Sequence, residues 1–202
     1  MTDIALVHYG AGNLTSVSKA LVAVGATPRV VTSPDDLAGA RAIVVPGVGH
    51  FAATASLDAR WHHALRGAID AGTPLLGICL GLQWLFAGSE EAPDVRGLGV
   101  FEGRCFLLDG DVKVPHVGWN TIERRGEPRL LDGIDARASA YFTHSFAAPL
   151  CEGTAGITTH GRAFTSVVER GHVFGVQFHP EKSGTTGLRL LTNFIQIVGE
   201  AR

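Results

Sequence analysis

The sequence predicts an α/β fold with an open, mostly parallel central sheet flanked by helices, and with an antiparallel extension in its second half. Up to about residue 90, apolar segments of strand length alternate with segments whose apolar residues repeat at helical spacing, which is typical of a parallel sheet covered on both faces. Beyond residue 100, short apolar segments follow one another between turn residues, which is typical of antiparallel strands. No low-complexity linker divides the 202 residues, so we expect one domain over 1–202.

The first half begins as a β-α-β-α-β series. Asn13 and Ser33 stand where the first two helical segments would begin, and short polar side chains at that position accept the free amides of the first turn. A longer helix, expected in two pieces, precedes a buried strand and one more helix. We expect strands at 4–8, 28–32, 42–45 and 74–78, and helices at 14–24, 51–71 and 80–87.

The second half predicts short strands and one closing helix. Thr186 is expected to cap that helix, whose apolar residues at 188, 191, 195 and 198 would pack back on the sheet. The expected strands are 103–108, 113–117, 140–143, 156–159, 163–169 and 173–178.

Composition excludes several function classes. The formal net charge is −2, from 17 Lys+Arg against 19 Asp+Glu. The chain therefore has no excess of basic residues that would bind nucleic acid or an anionic membrane. The most apolar stretch, 74–88, is shorter than the ~20 residues that cross a bilayer. Without a signal-peptide pattern at the first residues, we expect a cytoplasmic protein. The three cysteines show no CxxC pairing, so neither a disulfide nor a metal site is expected.

Two glycine-rich turns follow predicted strands, where ligand crevices of open α/β sheets lie. Tyr9-Gly-Ala-Gly-Asn13 occupies the place of a dinucleotide-binding loop, but it lacks the third glycine of that motif, and no acidic residue ends the second strand. We therefore expect no nicotinamide cofactor and no other cofactor. Pro46-Gly-Val-Gly49 follows the third strand and should share the same rim.

The segment Gly77-Ile-Cys79-Leu-Gly81 predicts a nucleophile elbow between a buried strand and a helix. The neighbours two residues before and after the nucleophile must lack side chains, or their Cβ atoms would collide with the helix and the next strand. The thiol would then stand at a helix N-terminus, where free amides and the helix dipole favour a thiolate. A buried core cysteine is the structural alternative.

Gly175-Val-Gln-Phe-His179-Pro-Glu181 predicts the base and its orienting carboxylate. His and Glu two residues apart in extended chain project to the same side. A cysteine nucleophile needs a base for its proton, and the imidazole needs a carboxylate to hold its tautomer. His50, His116 and His144 adjoin other motifs and are secondary candidates for positioning roles.

The combination of Cys79-Leu-Gly-Leu-Gln83 with Gln-Phe-His179-Pro-Glu181 about 100 residues later resembles the class I (triad) glutamine amidotransferases. Further segments resemble the glutaminase subunits of imidazole glycerol phosphate synthases, and the similarity spans nearly the whole chain. These segments are 9–14, 46–51, 113–120 and 179–183.

The resemblance implies that Cys79 attacks the side-chain amide of glutamine while His179, oriented by Glu181, acts as base and then acid. Ammonia leaves, and water cleaves the resulting thioester. The backbone amides of Val48 and Leu80 would form the oxyanion hole, and the Val48 peptide would flip when the synthase subunit is loaded. The residues expected to hold glutamine are Gly49, Gln83, Glu91 (in preference to Glu90) and Ser145. Thr143 and Phe146 depart from the Val and Tyr associated with this last segment.

The resemblance also implies a partner, a (β/α)8 cyclase subunit that receives the ammonia in a heterodimer and makes imidazole glycerol phosphate and an aminoimidazole carboxamide ribonucleotide in histidine biosynthesis. The residues expected to face it are Asn13, Trp119, Asn120, Tyr141 and Lys182. Three alternatives stay open: a glutaminase subunit of anthranilate, purine or pyridoxal phosphate synthesis, a thiol hydrolase on the same fold, and a catalytically silent binding module.

Overall fold

The computed structural model describes residues 2–201 and has an eight-stranded sheet at its centre. The strands are β1 (Thr2–Val7), β2 (Ala26–Val31), β3 (Ala42–Gly47), β4 (Leu75–Cys79), β5 (Gly88–Ser89), β6 (Ala92–Arg96), β7 (Arg104–Leu107), β8 (His116–Thr121), β9 (Glu123–Arg124), β10 (Ser139–His144), β11 (Phe146–Ala147), β12 (Thr154–His160), β13 (Arg162–Arg170) and β14 (Val173–Val176). The α-helices are α1 (Leu14–Ala23), α2 (Ala59–Asp70), α3 (Leu80–Leu85) and α4 (Gly184–Glu200). Short 3₁₀ turns cover Pro34–Leu37, Phe51–Ser56, Arg129–Leu131 and Pro180–Lys182.

The strand order of the central sheet is β2-β1-β3-β4-β14-β13-β12-β9. The first five strands in this order run parallel, and the last three continue the sheet in antiparallel fashion. This confirms the predicted fold class. Two smaller sheets, β8 with β10 and β11-β7-β5-β6, complete the structure.

The pairing of β14 with β4 determines where the site forms. Val176 lies opposite Ile78 in a parallel register, although about 100 residues separate them in the chain. Because parallel strands end at the same edge of a sheet, the segments that follow these two strands emerge side by side. These segments carry Cys79 and His179.

Two apolar clusters cover the two faces of the central sheet. Alternate residues of β1 point to opposite faces, so Leu6 packs with Leu21 and Phe194 whereas Val7 packs with Leu65 and Trp84. Helices α1 and α4 therefore cover one face, and α2 and α3 cover the other. Within residues 2–201, no helix is long and apolar enough to cross a membrane.

Several local predictions are confirmed. The Asn13 side chain accepts from the backbone amide of Ser16 at 3.2 Å and so caps α1. Ser33 caps the short turn Pro34–Leu37. The segment 51–71 does form two pieces, a 3₁₀ turn and α2.

The predicted cap at Thr186 is wrong, because α4 begins at Gly184 and Thr186 lies inside its first turn. A side chain at Gly187 would overlap the carbonyl oxygen of Pro180, so the helix starts directly behind the Pro180–Lys182 turn. The strand predicted over 113–117 lies instead at β8, where it pairs with β10. The two-residue strands β5, β9 and β11, and also β6, were not predicted.

Candidate active site

Cys79 stands at the junction of β4 and α3 in a strained backbone conformation. Its φ is 54°, and among residues 2–201 it is the one non-glycine residue with positive φ. A Cβ at Gly77 would lie 2.7 Å from the carbonyl oxygen of Gly81, and one at Gly81 would overlap the carbonyl oxygen of Val45. The two glycines therefore allow the sharp strand-to-helix turn, as the sequence pattern predicts.

His179 and Glu181 form a buried pair beside this turn. The Nδ1–H of His179 donates to Glu181 Oε1 at 2.9 Å, and the two side chains are 1% and 2% exposed. Burial alone would lower the pKa of His179, but the neighbouring Cys79 and Glu181 raise that pKa well above its ordinary value. Its second nitrogen, Nε2, is buried without a hydrogen-bond partner of good geometry among residues 2–201. The imidazole is therefore held at one nitrogen and open toward the thiol at the other.

The backbone around His179 is tied to β10. The amide of His179 donates to the carbonyl of Tyr141 at 2.9 Å. The Ser183 hydroxyl donates to the carbonyl of His179 at 2.7 Å and accepts from the amide of Tyr141 at 2.9 Å. These bonds determine where the imidazole lies relative to the Cys79 turn.

Two buried glutamines connect the thiol to the wall of the site. Gln83 Nε2 donates to the carbonyl of Phe146 at 2.7 Å and to Gln177 Oε1 at 3.2 Å. Gln177 Nε2 lies 3.6 Å from Cys79 Sγ. Sequence reasoning assigned no role to Gln177, although a glutamine within the apolar segment 173–178, two residues before His179, was an available signal.

A cavity of about 300 Å³ opens in front of Cys79. All the residues expected to form the oxyanion hole or to hold glutamine line it, together with Cys79 and four others. Its lining is Val48, Gly49, Cys79, Leu80, Gln83, Glu91, Pro115, Thr143, His144, Ser145 and Phe146.

The two neighbouring glutamates point to different places. Glu91 lines the cavity, and its Oε2 accepts from the amide of Phe51 at 2.7 Å. Glu90 accepts from the amide of Leu107 at 3.2 Å and is not part of the lining. The arrangement places one carboxylate, that of Glu91, in the cavity near Cys79.

The turn at Val48 and Gly49 forms the opposite side of the cavity. Val48 is 39% exposed, and Gly49 has φ +102° with no atom within 4 Å of a Cβ built on it. The Tyr9 hydroxyl, by contrast, packs so tightly against Gly47 that a Cβ there would overlap it. This hydroxyl is buried without a hydrogen-bond partner among residues 2–201, and burial and the charge of Cys79 raise the pKa of Tyr9.

Histidines form a second buried cluster next to the cavity. His116 and His144 form a hydrogen-bonded chain. The Nδ1–H of His144 donates to the carbonyl of Phe146 at 2.9 Å, and His116 Nδ1 bonds His144 Nε2 at 3.1 Å. Asn120 Nδ2 donates to His116 Nε2 at 3.2 Å. Burial lowers the pKa of His116 to about 4 and that of His144 to about 3, so both rings are neutral near pH 7. His50 instead caps the turn Phe51–Ser56.

Three of the residues expected to face a partner cluster on one surface. The rings of Trp119 and Tyr141 lie 6.2 Å apart, and Lys182 Nζ lies 5.8 Å from the centre of the Tyr141 ring. Trp119 is 59% exposed although it is a large apolar side chain. Asn120 is half-buried through its bond to His116, and Asn13 is exposed at the start of α1.

The chain matches known proteins over nearly its whole length. A family model described as glutamine amidotransferase class-I matches residues 5–197. The imidazole glycerol phosphate synthase subunit HisH of Deinococcus radiodurans is 46% identical, over 95% of this chain and 92% of that protein. The protein of the same name from Thermococcus kodakarensis is 48% identical, over 95% of this chain and 98% of that protein.

Solved structures agree on the fold. A crystal structure of a glutamine amidotransferase superposes with a TM-score of 0.76 at 22% identity, covering 96% of this chain and 98% of that one. A chain in the structure of PurLQS from Thermotoga maritima gives a TM-score of 0.75 at 17% identity, with coverages of 97% and 98%.

The matched family model and the two HisH relatives identify the family. The chain belongs to the class I glutamine amidotransferases and, within them, to the HisH subunits of imidazole glycerol phosphate synthase.

Proposed function

We propose that this chain is the glutaminase subunit of an imidazole glycerol phosphate synthase, hydrolysing glutamine to glutamate and ammonia through a thioester on Cys79. The observation that carries the proposal is the placement of the strained Cys79 turn, which lines a cavity of about 300 Å³, next to the buried His179–Glu181 pair. A nucleophile, a base and an orienting carboxylate are the groups that acyl transfer requires.

In the first half of the reaction, the proton of the Cys79 thiol moves to His179 Nε2 and the sulfur attacks the amide carbon of glutamine. A C–S bond forms, and the electron pair of the C=O bond moves onto the oxygen, where the amide of Leu80 donates a hydrogen bond. The oxyanion then collapses and the C–N bond breaks. The imidazolium of His179 gives its proton to the leaving nitrogen, so that ammonia departs.

In the second half, water replaces ammonia. His179 takes a proton from the water as its oxygen attacks the thioester carbon, and collapse of the oxyanion breaks the C–S bond. The imidazolium returns its proton to the sulfur, and glutamate leaves. Glu181 keeps the imidazole in the correct tautomer and stabilises its cationic form in both halves.

Glutamine is held by groups in the cavity wall. The Glu91 carboxylate is suited to the α-ammonium group of the substrate, since an opposite charge in a partly desolvated cavity binds more strongly than in water. Gln83, Gly49 and Ser145 supply polar contacts around the same space. These assignments rest on position in the cavity together with the family resemblance.

The partner is a cyclase that receives the ammonia, and its docking completes the oxyanion hole by turning the Val48 peptide. The open surroundings of Gly49 support such a turn, because no atom lies within 4 Å of a Cβ built at that residue. The exposed Trp119, with Tyr141 and Lys182 beside it, supports docking on that surface.

The test is glutaminase turnover of the chain alone, with a candidate cyclase, and with the cyclase plus its nucleotide ligand. We expect slow turnover in the isolated chain and a rise of about 10²- to 10³-fold in the loaded complex, the range that one oxyanion donor contributes. A Cys79→Ser complex should still make imidazole glycerol phosphate from ammonium salt at alkaline pH, because only the ammonia source is lost. Full activity of the isolated chain, or no association at micromolar concentrations, would indicate another triad glutaminase.

A further inference from the structure

Gln177 contacts the nucleophile but takes no part in the reaction steps of Cys79, His179 and Glu181. Its side chain is fully buried, and its Nε2 lies 3.6 Å from Cys79 Sγ, within the range of an N–H···S hydrogen bond. Burial of a carboxamide is unfavourable unless its groups are hydrogen-bonded, so the surroundings must satisfy both ends of this side chain. Gln83 satisfies the oxygen end, and the sulfur is the partner at the nitrogen end.

The direction of this hydrogen-bond chain is fixed by a backbone carbonyl. The oxygen of Phe146 can only accept, so the atom of Gln83 that lies 2.7 Å from it must be the NH₂ nitrogen. The same nitrogen lies 3.2 Å from Gln177 and therefore faces its oxygen. The NH₂ group of Gln177 then points at Cys79 Sγ, and the sulfur must act as the acceptor.

An accepted hydrogen bond at the sulfur determines where the thiol proton lies. The proton cannot point toward Gln177, because an N–H group already occupies that side of the sulfur. The buried Nε2 of His179 has no other partner of good geometry among residues 2–201 and lies next to the thiol, so it is the acceptor available to the proton. The two sides of the sulfur thus have different neighbours, a donor and a base.

From this geometry we propose that Gln177 is a positioning residue, which directs the Cys79 thiol proton toward His179 Nε2 and stabilises the resulting thiolate with its N–H group. The step is a proton transfer from Sγ to Nε2 that leaves an ion pair, and it needs no further reactant. Gln177 also couples the thiolate to Gln83 in the cavity wall. The inference rests on the proposed glutaminase function for its catalytic consequence, but not for the state of the thiol.

The test compares Gln177→Met with the unmodified chain. Methionine keeps the length of the side chain but removes the donor to Cys79 and the oxygen that accepts from Gln83, whose bond to the Phe146 carbonyl remains. The first readout is the rate at which iodoacetamide alkylates Cys79 in the full chain at pH 7, followed by mass spectrometry of the peptide that contains Cys79. We expect about a tenfold lower rate, the consequence of losing one hydrogen bond to a charged group. In the complex with the cyclase, we expect kcat to fall by a similar factor while KM changes less than about twofold.

Asn193→Leu is the matched control, because Asn193 is a buried carboxamide that donates to the carbonyls of Leu130 and Asp132, away from the site. It should lower stability without changing the alkylation rate. If Gln177 only supports the fold by holding Gln83, Gln177→Met will raise KM and leave alkylation unchanged, and the proposal is then wrong. A wild-type complex without glutaminase activity would overturn the proposed function, whereas the alkylation rates would still decide the role of Gln177.

A measurement on the native sequence covers the case in which Gln177→Met does not fold. The chain has three glutamines, of which Gln196 is exposed and two are buried, so a ¹⁵N-glutamine spectrum resolves few side-chain amides. We expect the Gln177 amide resonances to shift when Cys79 is alkylated, while those of Gln196 stay in place. Unchanged Gln177 resonances would overturn the proposal.

Discussion

The two sides of the cavity differ in how firmly the surrounding structure holds them. On the Cys79 side, the backbone is strained, and tight packing holds it in that conformation. Side chains at Gly77 and Gly81 would collide with neighbouring backbone. On the Val48 side, Gly49 also has a positive φ, but no atom lies within 4 Å of a Cβ built there. Strain that packing enforces can persist through a catalytic cycle, whereas a turn without such packing can change its conformation at low cost. Packing therefore holds the Cys79 side of the site, whereas the Val48 side lacks that packing at Gly49.

The largest effect is expected when the nucleophile is removed and its turn is left intact. We expect Cys79→Ala to reduce glutaminase turnover in the complex by at least about 10⁴-fold, because the group that forms the covalent bond is lost. The glycine-framed turn remains, so the variant should still fold, at a cost of about 1–2 kcal/mol because His179 and Gln177 each lose the sulfur as a partner. Substantial residual turnover, measured as glutamate release, would contradict the assignment of Cys79.

Alanine substitutions at the two glycines compare the two sides directly. Gly81→Ala should lower the free energy of unfolding by about 3 kcal/mol or more, because its Cβ would overlap the carbonyl oxygen of Val45. Gly49→Ala should cost only about 1–2 kcal/mol, since it meets backbone strain but no neighbouring atom. Chemical denaturation of both variants measures the difference. Equal losses would mean that the two turns are held alike.

The interaction between Cys79 and His179 can be measured as a change in the pKa of the His179 imidazole. Burial lowers the pKa of His179 while Cys79 and Glu181 raise it, so Cys79→Ala should lower that pKa by about one unit or more. In the unmodified chain the raised pKa contributes stability that is present below the unfolded value of about 6.5 and is lost as pH rises through the folded value. NMR of the imidazole carbon-bound protons follows the change. An unaltered titration would show that the thiol does not act on this ring.

The smallest effect is expected at the contact between Tyr9 and Gly47. The Tyr9 hydroxyl is buried without a partner among residues 2–201, so Tyr9→Phe removes an unsatisfied polar group and no hydrogen bond. The free energy of unfolding of the isolated chain should stay within about 0.5 kcal/mol or rise. Denaturation by urea checks this, and a loss above about 1 kcal/mol would show that the hydroxyl does have a partner in solution.

The two sides also differ in how well the sequence predicts them. The glycines around Cys79 state a steric requirement that any sequence must meet, so the turn and its nucleophile could be predicted from local residues alone. The pairing of His179 with Glu181 was also predicted, but for an extended chain, whereas Glu181 lies in the 3₁₀ turn Pro180–Lys182, which brings its carboxylate to the imidazole. The role of Gln177 was not predicted because it depends on a hydrogen bond from Gln83, which is 94 residues away in the chain. It also depends on the Phe146 carbonyl, which determines which end of each glutamine side chain is the donor.

The bounds of helices and strands were also predicted well where local residues determine them and poorly where distant packing does. The helical start at Thr186 was expected from capping propensity, but the close approach of Gly187 to Pro180 moves the start of α4 to Gly184. The strands β5, β9 and β11 have two residues each, and their conformation is set by the partner strands rather than by any pattern of their own. Predictions were correct where a local requirement governs the chain and wrong where distant packing does.

The pairing of β14 with β4 has a consequence for synthesis of the protein on the ribosome. About 100 residues lie between the two strands, so at ordinary translation rates of 5–20 residues per second Cys79 emerges roughly 5–20 s before His179. During that interval the sheet lacks the strand that separates β4 from β13, and the thiol lacks its base. Closing so long a loop is also among the slower steps of folding. The thiol therefore gains its base only after the chain has been made to residue 179, so a shorter nascent chain carries the cysteine without the imidazole that activates it.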